Sequence, residues 1–474
     1  MTPTLHDLDA FAGRLREGLL ERTADRPIYL SRAPGRLDVM GGIADYSGAL
    51  VLQWPIREAT RVALQRRPDP VLDIVSHGRD GQRRRLQVPL AVVADATRSY
   101  DQVRCWFNAD PSRHWAAYTA GVFHVLAREH QATFLEGATI VVESDVPEGK
   151  GVSSSAALEA ATMEAVLAAW RLEVPTRLRA IWCQRVENLI VGAPCGVMDQ
   201  MATICGEADS LMALLCQPAE FQGTIALPSE LAVWGIDSGI RHAVTGADYG
   251  AVRVGAFMGY RILADLAGFA VSAGDREGHV RVSDPRWGGY LANVGIEAFL
   301  EIEHQVPGTL NGAAFLSRYG GTTDPVTRVD HERTYAVWKP TAHPIYEHER
   351  VSEWAQLLRS IGTVGSLPLK QTALRLGELM YHSHASYSAC GLGSDGTDRL
   401  VAMARQVGPG DGLYGAKITG GGSGGTVAIL GDWSSGDRVR EIARAYSEET
   451  GRDVHVFEGS SPGAAAVGVR ELSP

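Results

Sequence analysis

Apolar residues recur at roughly helical spacing at the start of the chain, at Leu5, Leu8, Phe11, Leu15 and Leu19, which predicts a helix over residues 1 to about 25. That helix is expected on the outside of a first domain. From residue 27 the period changes: extended runs over 27–31, 49–53 and 60–65, separated by Gly and Pro, predict a meandering sheet. A helical pattern returns over 104–129, a strand is expected over 139–145, and helices over 156–170 and 177–189. After Gly206 the pattern restarts with a strand over 231–237 and a helix over 249–266. Residues 275–341 are richer in Gly, Pro and polar side chains and read as an irregular insertion containing a helix over 296–304. Helices over 347–361 and 370–388 then precede a strand–helix–strand finish from residue 416. The pattern divides the chain into 1–210 and 211–474, with no internal repeat.

Composition narrows the class. At 474 residues, with 45% hydrophobic and 21% charged residues, the chain can bury the cores of two or three domains. The net charge of −10, with no basic run beyond Arg83-Arg84-Arg85, argues against a nucleic-acid surface. Six cysteines show no C-x-x-C pair and read as reduced thiols; Cys195 either lines a site or is packed in the core. No apolar run approaches membrane-spanning length, so a soluble, cytoplasmic protein is expected; the sequence does not give its oligomeric state.

Three stretches carry the chemistry. The first is Ser31-Arg32-Ala33-Pro34-Gly35-Arg36-Leu37-Asp38-Val39-Met40-Gly41-Gly42 and the second Pro147-Glu148-Gly149-Lys150-Gly151-Val152-Ser153-Ser154-Ser155-Ala156; the third is Lys417-Ile418-Thr419-Gly420-Gly421-Gly422-Ser423-Gly424-Gly425. The second runs from an extended segment through glycines into an alanine-rich helix, an order that builds a phosphate cradle. Three consecutive serines exceed what helix capping needs, and their hydroxyls can bond phosphate oxygens or ligate magnesium. It is not a Walker A sequence. Gly420–Gly425 matches G-x-G-x-x-G, and Gly421–Gly425 matches G-x-S-x-G. A strand predicted immediately afterwards, over 426–430, speaks against both. A tight loop there would instead bring backbone close to the cradle. Glu187 and Asp199 flank a Gly/Pro-rich loop; one acid can hold magnesium while the other orients or deprotonates a hydroxyl, the division of labour of phosphoryl transfer.

In order and approximate spacing, the three stretches resemble the galactose/homoserine/mevalonate/phosphomevalonate (GHMP) kinase superfamily, and within it the galactokinase group, over about residues 27–470. Residues 31–48, 234–242 and 340–347 are also similar to the kinase domain of plant L-arabinokinases. The resemblance implies an α+β fold of two domains with the active site in the cleft between them. It implies that Asp199 faces the anomeric hydroxyl with Arg36 beside it, keeping it ionised and offsetting transition-state charge. By the same likeness Ser155 and Glu187 hold Mg²⁺; Gly149, Gly151, Ser153 and Ser154 wrap the phosphates of ATP; and Asp45, Gly196 and Tyr249 contact the sugar. Trp115 and Tyr118 resemble part of a family helix near the nucleotide.

Two departures stand out. Galactokinases carry Glu-His where this chain has Gly42 and Ile43, and those side chains address the 6-hydroxymethyl end of the sugar. Their loss fits a pentose such as L-arabinose, which is galactopyranose without that carbon, or else opens room for a sugar extended beyond C6. An unpaired buried 6-hydroxyl costs about 1–3 kcal/mol, roughly a tenfold to hundredfold preference. Lys150 replaces a glycine and either adds a contact to ATP or faces solvent. The expected activity is ATP-dependent phosphorylation of a free sugar at C1, with L-arabinose preferred and galactose or a modified sugar second. A non-catalytic sugar sensor is the alternative of another class, disfavoured by the intact serine loop, Glu187 and Asp199.

Overall fold

The Gly/Pro stretch 33–40 does not end a strand but forms part of one. In the computed structural model, which describes residues 3–19, 26–78, 82–241 and 247–473, β1 (Ile28–Met40) is buried along its whole length. It pairs antiparallel with the long β2 (Leu50–Arg67). The register of the pair shifts between Pro34 and Arg36 and again between Asp38 and Met40. Such irregularities relax the ladder where Pro cannot donate and re-aim the side chains beside them.

The rest of the first sheet comprises β3 (Val71–His77), β4 (Arg83–Pro89), β5 (Gly137–Ser144), β6 (Ser210–Leu215) and β7 (Glu220–Ala226). β2 pairs with β6 through its first residues and with β5 through its last. β3 joins β5 in parallel, β4 closes that edge, and the strand Arg470–Leu472 pairs with β1 on the other. The hairpin of β6 and β7 therefore belongs to the first sheet, although it lies at the expected boundary and beyond it. The second sheet is antiparallel: β8 (Leu231–Asp237) sits between Thr426–Asp432 and Val456–Glu458, with Leu413–Ile418 outside. One apolar cluster joins the sheets, with Leu37, Val39 and Trp54 meeting Val233, Trp354, Leu376 and Ala428.

Helix placement follows burial. Ser154–Trp170 lies on β1 and β2, and Leu369–Ala389 on the strand Leu413–Ile418. The first helix runs Pro3–Arg14 and ends in a π-turn, Leu15–Leu19; its expected continuation over 20–25 lies outside the described residues. The stretch 104–129 is broken by Pro111 into Tyr100–Asn108, a 3₁₀ turn and Ala117–Glu129. Trp338–Ser360 starts well before the expected 347. Pro340 and Pro344 concealed it; Pro340 lies in the first turn, where a missing N–H loses no helical hydrogen bond, whereas Pro344 sits inside the helix and forgoes one. The helix Asp395–Val407, capped by Ser394, was not foreseen.

Residues 275–341 are more ordered than expected. They hold the helices Ile296–Ile302 and Gly312–Tyr319 and the ribbon of Thr309–Asn311 with Thr334–Ala336. Phe299, Phe315, Tyr335 and Val337 form a core with Val254, Met258 and Ile262 of the helix Ala247–Leu266. No described helix is long and apolar enough to cross a membrane.

Candidate functional site

The loop between β5 and the helix Ser154–Trp170 is held in a conformation that costs energy. Gly149 and Gly151 adopt φ of 71° and 70°, where glycine is at ease, but Ser153 also adopts 62°. Its hydroxyl makes no capping bond and is buried without a partner. An orphaned hydroxyl beside the free N–H groups of a helix N-terminus is suited to an incoming anion. The loop is fixed from two sides. Arg36 N donates to Val152 O at 3.1 Å, and a Cβ on Gly35 would fall 2.6 Å from that oxygen. On the other side Thr426 Oγ1 donates to Lys150 O at 2.8 Å. Gly420 packs so closely that a Cβ would lie 2.8 Å from Gly151 O. The glycine loop 419–425 joins two strands, which excludes the context of both formal motifs.

Arg36 emerges at the register shift of β1 and is 2% exposed. Its Nε and Nη2 donate to Asp199 Oδ1 at 3.0 and 2.6 Å, while Nη1 donates to Gly151 O at 2.7 Å. One guanidinium thus ties the acid to the anion loop. Asp199 lies in the first turn of the helix Met198–Cys205. Glu187 lies on the π-turn Val186–Val191, a distortion often found at functional sites. It accepts from Gln200 Nε2 at 2.7 Å and bonds the Ser155 hydroxyl. Burial first, and then the Asp199 charge, push Glu187 up to about 7. A buried carboxylate with a paired hydroxyl is a hard oxygen donor set that gains from a cation, and Mg²⁺ takes only one or two protein carboxylates when phosphates and water complete its shell. Among the described residues no group of three or more His, Cys, Asp or Glu is placed to hold a metal alone.

On the far side of Asp199, Asp45 and Gly196 meet. A Cβ on Gly196 would fall 1.7 Å from Asp45 Oδ2, so only glycine lets the carboxylate lie there. Asp45 is pushed up to about 7, chiefly by burial and then by Asp199, with Arg253 opposing. Tyr249 stands edge-on to Tyr46 with ring centroids 6.0 Å apart. One cavity is lined by Arg36, Ile43, Asp45, Gly149, Gly151, Ser153, Ser154, Ser155, Glu187, Cys195, Gly196, Asp199, Tyr249 and Gly420. A second, of about 420 Å³, is lined by His77, Arg84, Trp115, Tyr118, Leu158 and Arg241; it shares Gly149, Ser154, Ser155 and Glu187 with the first. The anion loop is the wall between them. His242, part of one quoted likeness, lies outside the described residues.

Two expected site residues are elsewhere. Lys150 neither faces solvent nor lines either cavity, because its Nζ pairs with Asp237 Oδ2 at 2.8 Å. Gly42 does not line the cavity, because the Tyr387 hydroxyl stands in front of it, accepting from Ile43 N at 2.7 Å and donating to Gly420 O at 3.1 Å. Ile43 alone of the pair reaches the cavity. Behind them Lys417 Nζ pairs with Asp38 Oδ2 at 2.6 Å, both fully buried, and Asp38 Oδ1 accepts from Gly42 N at 2.9 Å. Sequence reasoning missed Tyr387, Lys417, Asp38 and Arg253; only Arg253, one turn beyond Tyr249, had a usable signal.

Three family models match the chain: the GHMP kinases N terminal domain over 117–207, the GHMP kinases C terminal domain over 368–452, and the galactokinase galactose-binding signature over 21–66. The chain is 45% identical to L-arabinokinase of Arabidopsis thaliana over 94% of its own length, and spans about half, 47%, of that protein. It is 27% identical to the galactokinase of Roseiflexus sp. (strain RS-1), covering 94% of both. Its fold matches Lactococcus lactis galactokinase complexed with galactose, with a TM-score of 0.71 at 18% identity, over 98% of this chain and 100% of that one. A mevalonate kinase matches at a TM-score of 0.51 and 14% identity, over 92% and 99%.

Proposed function

We propose that the chain, which matches the GHMP kinase N- and C-terminal models and the galactokinase galactose-binding signature, is a GHMP kinase of the galactokinase group that transfers the γ-phosphoryl group of ATP to the anomeric hydroxyl of a free sugar, with L-arabinose preferred. The observation that carries this is the position of the Arg36–Asp199 pair on one face of the anion loop, with a separate cavity containing Trp115 and Tyr118 on the other. A nucleotide in the second cavity would present its phosphates across the loop to a hydroxyl beside Asp199. Gly149, Gly151, Ser153 and Ser154 would hold the phosphates, and Ser155 and Glu187 a Mg²⁺ ion.

Phosphoryl transfer of this kind needs positioning and charge stabilisation more than covalent chemistry. Asp199 orients the sugar hydroxyl and accepts its proton, and Arg36 holds Asp199 against the loop. Magnesium, when bound, neutralises charge on the β- and γ-phosphates. Asp45 accepts from ring hydroxyls in its ionised form, and Tyr249 and Gly196 bound the ring. Ile43 places an apolar contact where galactokinases address the 6-hydroxymethyl group. The likeness to the Arabidopsis L-arabinokinase supports the pentose, and the likeness to galactokinases keeps galactose as the second candidate.

The test is ADP release with ATP and Mg²⁺ over L-arabinose, D-galactose, other aldoses and chain-extended sugars, with NMR to place the phosphate. An L-arabinose optimum with phosphate on C1 is expected. An optimum elsewhere in the panel replaces the substrate, and silence in protein that still binds ATP removes the kinase reading in favour of a sensor.

A further inference from the structure

A buried ion pair links residues 275–341 to the sugar side of the site. Asp324, fully buried, accepts from Arg253 Nε and Nη2, both at 2.8 Å, in a two-pronged contact. The carboxylate is built into its own turn: it also accepts from Val326 N at 3.0 Å and from the Thr327 hydroxyl at 2.6 Å. Arg276 Nη2 braces that turn by donating to Asp324 O and Thr327 O, each at 3.0 Å. Burial works against the Asp324 charge, but Arg253 outweighs it and holds the carboxyl below its usual range.

Arg253, 4% exposed, spends its remaining capacity on the site. Its Nη1 donates to Cys195 O at 3.1 Å. Its guanidinium carbon lies 5.2 Å from the centre of the Tyr46 ring and 5.5 Å from that of Phe257. Cys195 precedes Gly196, and Tyr46 follows Asp45. One guanidinium therefore touches both loops whose meeting places the Asp45 carboxylate against Gly196.

We propose that Asp324 is a positioning residue for sugar binding: it fixes Arg253, and Arg253 sets the spacing of the 45–46 and 195–196 loops, so that the insertion is part of the sugar site. This rests on the sugar-kinase reading. A planar fork held by a carboxylate can bridge a carbonyl and a ring face together, which a flexible ammonium cannot. Arg253 makes no contact with the anion loop itself, and it bonds the Cys195 carbonyl and not the thiol that meets Glu187, so nucleotide binding should be spared.

The experiment uses the full chain and compares wild type, Asp324→Asn and the double variant Asp324→Leu with Arg253→Met. Initial rates are measured with L-arabinose varied at saturating ATP, and then the reverse. Both variants should raise the sugar KM at least tenfold, leaving the ATP KM within twofold and kcat within about threefold, the pattern of lost binding common to ground and transition states. The double variant removes both charges of the pair, so neither partner is left buried without the other. Equal shifts in both KM values, no shift in folded protein, or a double variant that fails to fold would each overturn the proposal, the last by showing that the pair holds the fold and not the site. If wild type phosphorylates no sugar in the panel, the sugar-kinase reading fails first and takes this inference with it.

Discussion

The hydroxyl of Tyr387 fills the place where a side chain at position 42 would begin: an ideal Cβ on Gly42 would stand 1.3 Å from that oxygen. Gly42→Ala should therefore cost about 1–3 kcal/mol, read as a lowered denaturation midpoint. In a Tyr387→Ala background the cost should shrink by about 1 kcal/mol or more. Additive losses would show that the tyrosine does not hold this volume.

The same relationship changes how a specificity swap must be made. Glu and His placed at 42 and 43 alone should abolish turnover, because the glutamate has nowhere to go. Together with Tyr387→Ala they should raise the ratio of galactose to L-arabinose kcat/KM roughly tenfold or more, the value of one buried hydroxyl newly paired. A ratio unchanged in active triple variant sinks the argument.

Asp199→Asn keeps the shape of the side chain and removes its charge. Turnover should fall about 10²–10⁴-fold, the usual contribution of a positioned base, with the ATP dissociation constant by calorimetry within a few-fold of wild type. Retention of most activity would take Asp199 out of the reaction.

Asp45, held up to about 7, should make sugar capture depend on pH. The carboxylate accepts from hydroxyls only when ionised. Measured at saturating ATP and Mg²⁺, so that the cation holds Glu187 ionised, kcat/KM for the sugar should fall about tenfold per unit below pH 7 and level above it. Asp45→Asn should remove the break in the profile. Stability moves the other way: the folded state keeps a proton that the unfolded chain loses near pH 4, so this group lowers stability as pH rises from about 4 to 7.

Ser153 separates strain from function. Ser153→Gly relieves a left-handed backbone and should leave the denaturation midpoint unchanged or raise it. It also deletes the unpartnered hydroxyl, so the KM for ATP should rise several-fold. A lower midpoint with unchanged KM would make the serine purely structural.

Local pattern disclosed the residues that line the cavity better than those that support them. The serine loop, Arg36 and Asp199 stand in short runs whose composition announces backbone approach to an anion, and the cavity gathers them. Lys417 and Asp38 lie almost the whole chain apart, and neither run says that two charges will be buried as a pair. Lys150 looked like a loop lysine because nothing near it in sequence names Asp237. Pro340 and Pro344 hid the start of a helix, and Pro34 hid a strand, because tertiary packing tolerates prolines that local preference rejects. Asp324 lies in the segment that composition alone marked as irregular.

One wall serves two rooms: Gly149, Ser154, Ser155 and Glu187 border both cavities. Two occupants that border one wall can be coupled through it, and any such coupling is a linkage between the two sites. Linkage is reciprocal. Whatever factor a bound nucleotide adds to the affinity for the sugar, the sugar must return to the nucleotide.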